Sequence, residues 1–479
     1  MSQIKKNFIY NVLLTLSSYI INIIIFPYVS RVLGVELVGK IGFVNNVVSY
    51  FSLFAIMGIG TVGIREIAAC GNDKQRRSKV FSEILSIALL MTTLVVGVYV
   101  LALCFVPRFR EESSLFVVGI SNLFFTSLLI EWFYQGIENF RYIAFRSVIV
   151  KIIYAFIVLI TIKSPSDYLL YFVLTSLVIV INAFINLSYS RNYVDFSLKG
   201  VKIKRYIKPI LSLGIYRIMV SMYTTFNVIY LGFVCSDTEV GYYYTSTKLF
   251  YVLLNIFTAF TSVMMPRMSS LLAENKFDEF KQKTNSSFDL VFAVSFPLII
   301  FCVVYAPHII MLLSGKGFEG AIAPMRIIMP VLLLTGMAQI WVIQVLIPLK
   351  KDNILFVGSL VGAIVGVSAN ILLVKSLGAI GSAMVLLISE LFGNMITFLY
   401  AIKKEYISFP LKKLISNLLG SIPYLLVCVL TLQIVEGFYL QIIVGLLLCA
   451  MYFVILNVWI IKGTIINQYI VGKINSLKK

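Results

Sequence analysis

Two cations set in apolar sequence are the residues of this chain best placed to do chemistry. Arg217 lies in the run 210–232 and Lys248 in the run 241–263, both otherwise rich in Ile, Leu, Val and Phe. Each run is long enough to cross a bilayer, which takes about 20 residues. A charged group at the membrane centre costs about 2.5–3.5 kcal/mol, so it faces an aqueous or protein-lined cavity. The polar residues around the two cations follow helical spacing. Arg217, Ser221 and Thr224 fall at i, i+4 and i+7, and Thr245, Lys248, Tyr251, Asn255, Thr258 and Ser262 advance by three or four. Hydroxyls and amides alone would read as helix-to-helix glue. With Arg and Lys on the same stripes, the faces read as the wall of a water-filled cavity, offering electrostatic rather than catalytic chemistry.

Among the acids, Glu390 is nearest the middle of an apolar run, with Asn394 and Thr397 on its face. A buried carboxylate that changes protonation as its surroundings alternate is a candidate ion-coupling site. A carboxylate paired with a neighbouring helix is the other reading. Glu131 and Asp289 lie nearer the ends of their runs and read as interfacial. The single histidine, His308, sits beside Pro307 and reads as interfacial too. The six cysteines are scattered without ligand spacing, so neither a metal site nor a disulfide framework is expected. There is no nucleotide-binding glycine loop, no paired-histidine motif and no nucleophile elbow. No catalytic residue and no cofactor follow from the sequence.

The elements that position these residues are membrane helices. The chain has 479 residues, 60% hydrophobic and only 13% charged, which no soluble domain of this size matches. Its apolar runs do not alternate, so the expected fold is an all-α integral membrane protein and not a barrel. About 14 transmembrane helices are expected, near 8–29, 41–62, 80–106, 114–134, 147–162, 168–189, 210–232, 241–263, 286–306, 322–349, 354–374, 380–402, 416–434 and 439–461. Kinks are expected at Pro27, Pro297 and the prolines of the tenth run. The first run follows Lys5 and Lys6 but is too long for a signal peptide and has no cleavage site, so it is retained as a span. The net charge of +19 does not indicate nucleic acid, because the cations occupy short loops. With these spans, 29 Lys and Arg fall on one side and seven on the other, which places both termini in the cytoplasm. The loops are too short for a soluble catalytic domain, so function must sit among the helices.

The chain also repeats itself. Glu36-Leu-Val-Gly39 is answered by Glu239-Val-Gly241, Arg65 by Arg267 and Asn72 by Asn275, at offsets of 202 or 203. A repeat in one orientation implies two parallel six-helix lobes around a central cavity. The expected domains are 1–200, 201–405, and an appended C-terminal helix pair with a tail over 406–479. At the same offset Arg217 corresponds to Thr15 and Lys248 to Asn46, so the scaffold is duplicated and the buried cations are not. Thr15, Ser18 and Asn22 would supply a further polar face in the first helix, and Asn45, Ser49 and Ser52 another in the second.

The segments "FPYVSRVLGVELVGKIGF", "DTEVGYYYTSTKLF", "MMPRMSSLLAENK" and "YAPHIIMLLSGKGFEGAIAPMRIIMP" resemble the polysaccharide flippases of bacterial inner membranes, within the multidrug/oligosaccharidyl-lipid/polysaccharide exporter superfamily. The resemblance covers roughly residues 1–405. It implies two lobes in a V-shape, alternating access, and an undecaprenyl-pyrophosphate-linked oligosaccharide such as an O-antigen repeat unit as the substrate. It also implies delivery to polysaccharide polymerase machinery. On this reading Arg217 and Lys248, helped by Arg31 near the outer mouth, hold the pyrophosphate, and Asn255 meets sugar. The lipid tail stays among membrane lipids between the lobes. A cation-coupled multidrug exporter of the same fold would favour acidic cavity residues, and here basic ones dominate. A membrane-embedded polysaccharide polymerase or ligase would need a sizeable outer loop, which is missing.

Overall fold

The computed structural model describes the backbone of residues 3–197 and 201–457, with side chains at 10, 21 and from 23 onward except 216. The side chains of Lys5, Lys6, Thr15, Ser18 and Asn22, and the tail after 457, lie outside that description. Among the described residues every regular element is helical. Apolar runs of this length leave backbone groups no partner except their own helix.

Among the described residues ten helical segments are long and apolar enough to cross a membrane, and two bent pairs bring the number there to twelve at most. The sequence divides the same residues into fourteen because two segments run on through turns. Gln3–Ile56 continues past Gly34 (φ 78°, ψ 170°), and Asp352–Lys403 past Gly378 (φ 55°, ψ −129°). The second of these folds back on itself. Gly358 faces Gly393 and Thr397, while Gly381 faces Leu373 and Val374, the contact pattern of an antiparallel hairpin turning at Gly378. A positive φ of that kind is cheap only for glycine.

The chain forms two compact units. The first comprises residues up to Gly241 with Leu313–Gly317. One end of it packs Phe81, Trp132, Phe133 and Tyr134, with Tyr142 stacked on Tyr189 at 4.0 Å. Elsewhere in the unit Phe43, Phe109, Phe116 and Phe233 form an aromatic cluster, with Phe109 and Phe116 stacked at 4.4 Å. Arg108 covers Phe43 and donates to Asp237, to Glu111 at 2.5 Å and to the Gly232 carbonyl at 3.2 Å. Burial opposes the charge on Arg108, but the carboxylates of Glu111 and Asp237 outweigh it and hold the guanidinium more firmly protonated than usual. Lys40 pairs with Glu112 at 2.9 Å and Glu36 at 3.5 Å.

The repeated glycines meet in the same place. A Cβ on Gly39 would overlap the Asp237 carbonyl, and a Cβ on Gly241 would overlap the Val35 carbonyl. Residues 35 and 39 become 237 and 241 at an offset of 202, so the two contacts are mirror copies of one another. Reciprocal pairing of this sort is the mark of a two-fold relation.

The basic stretch after residue 190 is more than a charged loop. Its backbone N–H groups at Asp195 and Ser197 donate to Ser78 and Ser82, each at 3.0 Å, and Lys202 donates to Glu83 at 3.1 Å. Glu83 is fully buried and also receives Arg205 and Tyr206.

The second unit holds Tyr242–Leu312 and the described residues from Phe318 onward. Its helices include two π-helical stretches, Ile340–Leu346 and Asn370–Val374. The C-terminal helix pair is docked at both ends. Lys413 pairs with Asp289 at 2.6 Å, while His308 bonds Gln441 at 2.7 Å and stacks on Phe438 at 5.0 Å. Asp289 and His308 thus each have a partner on another helix. Asp289 is 4% exposed, and both residues hold one helix against another. Each lies near the end of its apolar run, where a free side chain and one covered by another helix look alike in sequence.

Candidate functional site

Three helices of the first unit are broken. Ile23–Ile56 bends by 42° into Ile59–Ala68, and Lys204–Ser221 bends by 47° into Thr225–Val234. Ser113–Ser127 gives way to Glu131–Gly136 through residues 128–130, which are not helical. Met57 (φ 29°) and Ile130 (φ 40°) take left-handed conformations at two of these breaks. Such a conformation costs on the order of 1–3 kcal/mol outside glycine and tends to collect at functional sites. The breaks at 57–58 and 128–130 border a cleft of about 310 Å³, with Thr61, Thr126, Glu131, Trp132, Gln135 and Arg217 among its lining residues. Broken membrane helices lining a cavity are a recurrent way to build a transporter's binding site.

The cleft sets unlike charges apart. Arg217 is exposed and makes no ion pair among the described residues. Glu131 is paired with Arg146 at 2.8 Å, and Arg146 is only 7% exposed. That single carboxylate oxygen takes one guanidinium nitrogen. The Nε and Nη1 of Arg146 have no hydrogen-bond partner among the described residues. Lys151 lies close enough to feel both charges.

The polar stripe expected beyond Arg217 ends at the helix break. Ser221 donates to the Ile218 carbonyl at 2.7 Å and Thr224 to the Val220 carbonyl at 3.2 Å, so both satisfy local backbone. Arg31 sits elsewhere in the first unit. It donates to the Pro27 carbonyl at 3.1 Å beside Gly315, next to the bond from Ser30 to the Leu313 carbonyl at 3.1 Å.

The remaining sequence candidates belong to the second unit. Lys248 donates to the Tyr244 hydroxyl at 2.8 Å and lies 4.1 Å from that ring's centroid. Asn255, half-buried, turns back to the Tyr251 carbonyl. Part of the stripe they share is packing. Thr245 is fully buried, and Gln339 bonds Thr258 at 3.0 Å and Thr261 at 3.1 Å. Glu390 accepts from Asn394 at 2.6 Å and makes no ion pair among the described residues. Thr397, grouped with Glu390 by spacing, instead accepts the Trp341 indole N–H at 3.0 Å.

Sequence reasoning misses Gln135, which lines the cleft, and Arg146, which pairs with Glu131, and it reads Glu131 only as interfacial. The one available signal was Glu131 itself, an acid flanked by bulky apolar residues. Among the described residues no cluster of three or more His, Cys, Asp and Glu could hold a metal ion.

Over residues 4–272 the chain matches the family model described as "Polysaccharide biosynthesis protein". It is 25% identical over 416 residues to a protein of Shigella dysenteriae named "Putative O-antigen transporter", covering 83% of this chain and 99% of that relative. A protein of Escherichia coli K12 with the same name is 23% identical over 353 residues, 72% of this chain and 83% of the relative. The fold is similar to that of the lipid II flippase MurJ in an inward closed conformation. The TM-score is 0.76 at 13% identity, covering 93% of this chain and 98% of that one. It is also similar to an inward-facing multidrug resistance transporter of the MATE family in the MOP superfamily. There the TM-score is 0.63 at 15% identity, covering 80% of this chain and 93% of that one.

Proposed function

The chain belongs to the polysaccharide biosynthesis protein family, and from that premise we propose that it flips an undecaprenyl-pyrophosphate-linked oligosaccharide across the bacterial inner membrane. It is a multi-pass membrane protein with the fold of the MOP superfamily. The relatives named as O-antigen transporters support a polysaccharide precursor as the cargo. The observation that carries the reading is Arg217, an exposed cation without an ion pair among the described residues, in a cleft bordered by the breaks of two membrane helices.

The proposed arrangement has fourteen crossings, counting Gly34 and Gly378 as turns between spans. Both termini are cytoplasmic. Two parallel six-helix lobes, 1–200 and 201–405, alternate in access around a central cavity, and 406–479 adds the appended pair. The reciprocal Gly39 and Gly241 contacts support the parallel relation of the halves. A pyrophosphate does not cross hydrocarbon by itself. At a separation of about 4 Å, each pair of unit charges is worth roughly 4 kcal/mol at an effective dielectric of 20, so two or three cations offset much of its desolvation. Arg217 and Lys248 attract this headgroup, Arg31 assists at the outer mouth, and Asn255 meets sugar. Glu390 is the ion-coupling carboxylate. The flipped unit is handed to polysaccharide polymerase machinery. A multidrug exporter of the same fold would take cationic drugs, which a cavity lined by Arg217 and Lys248 repels.

The test is surface-polysaccharide complementation with membrane protein level measured alongside. The double variant Arg217→Ala, Lys248→Ala is expected to reach wild-type abundance and to lose export. Wild-type export by that well-folded variant would refute the cationic cavity.

A further inference from the structure

We propose that Glu131 is a built-in counter-ion that a diphosphate displaces, and that Arg146 is a second cation for that diphosphate beside Arg217. This inference rests on the pyrophosphate reading given above.

Arg146 is a buried guanidinium with half-finished chemistry. Its five N–H donors meet one carboxylate oxygen at 2.8 Å, and its Nε and Nη1 have no partner among the described residues. Buried donors left unmade are costly, and a guanidinium is shaped for two-point capture of a carboxylate or phosphate. Glu131 is not buried with it. Its side chain is 37% exposed and lines the same cleft as Arg217. The carboxylate is thus the movable member of the pair and the guanidinium the fixed one.

The surroundings favour an anion in its place. Arg217 lines the same cleft as Glu131 without an ion pair among the described residues, and Lys151 is within electrostatic reach of both members of the pair. One carboxylate thus has a cation in contact, a second within electrostatic reach and a third lining the same cleft. A single carboxylate brings one negative charge and, here, one bond to Arg146. A diphosphate brings more charge and enough oxygens to engage Arg146 at two points while reaching Arg217. The left-handed Ile130 directly precedes Glu131, so the swing of Glu131 starts from a backbone already under strain. Exchange of one anion for another keeps Arg146 neutralised at every stage, which a lone buried cation would not achieve.

The experiment is equilibrium binding of radiolabelled farnesyl diphosphate to the full chain in lipid nanodiscs, with farnesyl monophosphate and farnesol as controls for partition into lipid. Wild type is expected to prefer the diphosphate. Glu131→Gln removes the competitor and is expected to tighten diphosphate binding about tenfold, the worth of one charge-assisted hydrogen bond. Loss of a merely structural ion pair does not raise ligand affinity. Arg146→Lys keeps the charge, loses the fork, and is expected to weaken binding by a similar factor. Unchanged or weaker binding in Glu131→Gln, with the wild-type preference for diphosphate intact, would overturn the counter-ion role. Unchanged binding in Arg146→Lys would remove Arg146 from the site. If wild type shows no preference for the diphosphate over the monophosphate and farnesol, the pyrophosphate reading falls, and this inference with it.

Discussion

Arg108 and Arg217 belong to the same unit, and their surroundings differ in kind. Arg108 has two carboxylates, a backbone carbonyl and an aromatic face around it, beside glycines that interlock across the repeat. Arg217 has an exposed side chain, no ion pair among the described residues, and helix breaks with strained φ angles nearby. The first environment uses charge to hold helices together. In the second, Arg217 is left to solvent and two nitrogens of Arg146 are left without partners among the described residues, so charge is present without being used to hold helices together. On the orientation proposed above, the Arg108 cluster lies toward the outer face and the Arg217 cleft toward the cytoplasm.

The comparison is sharpest where a charge can be orphaned. Asp237 has a side chain 10% exposed, and Arg108→Ala leaves it with only the more distant Lys40 to offset it. Breaking a buried pair costs about 3–5 kcal/mol, and the 22% exposure of Arg108 places this case near the lower end. Chemical unfolding of the detergent-solubilised protein should show that loss. The double variant Arg108→Leu, Asp237→Leu should recover most of it, because the one carboxylate still left without Arg108, Glu111, is exposed. A smaller loss is expected from Gly39→Val, since overpacking costs about 1–3 kcal/mol. Gly241→Val should cost nearly the same, because the contacts are reciprocal. A large difference between the two valine variants would mean that the repeat does not pair symmetrically here.

The sequence carries the helices, because apolar runs of membrane length have few alternative structures. It carries Arg217 as well, because a cation that deep needs a polar environment. The repeat of Gly39 at Gly241 is visible as a motif, while its cause, a carbonyl packed where a Cβ would go, is tertiary. The cleft was not legible. The break after Ser221 passes through Met222, Tyr223 and Thr224, with no glycine or proline to mark it, and helical spacing carries the polar stripe straight through it. Arg146 and Glu131 stand 15 residues apart on separate helices, so neither helical period joins them. Thr397 shows the opposite error. Spacing assigns it to Glu390, but the indole of Trp341, from a π-helical stretch with a different side-chain period, takes it instead. Spacing along one helix lists which residues share a face, and packing decides what that face meets.

The smallest stability effect should come from the residue with the largest expected effect on export. Arg217→Ala removes no ion pair and fills no core, so unfolding should shift by about 0.5 kcal/mol or less, as for an ordinary surface position. If the cleft instead used Arg217 as a structural cation, the same variant would behave like Arg108→Ala and abundance would fall with export. The two outcomes separate cleanly when unfolding and surface polysaccharide are measured on one preparation. Arg217→Lys refines the result. A lysine keeps the charge but presents a point rather than a planar fork, so export that survives in Arg217→Lys identifies long-range attraction as the role. Export lost in both variants with stability intact identifies two-point capture of the anion. An unfolding shift as large as that of Arg108→Ala would erase the distinction between the two ends of the unit, and with it the case for reading the cleft as a place kept open for an anion.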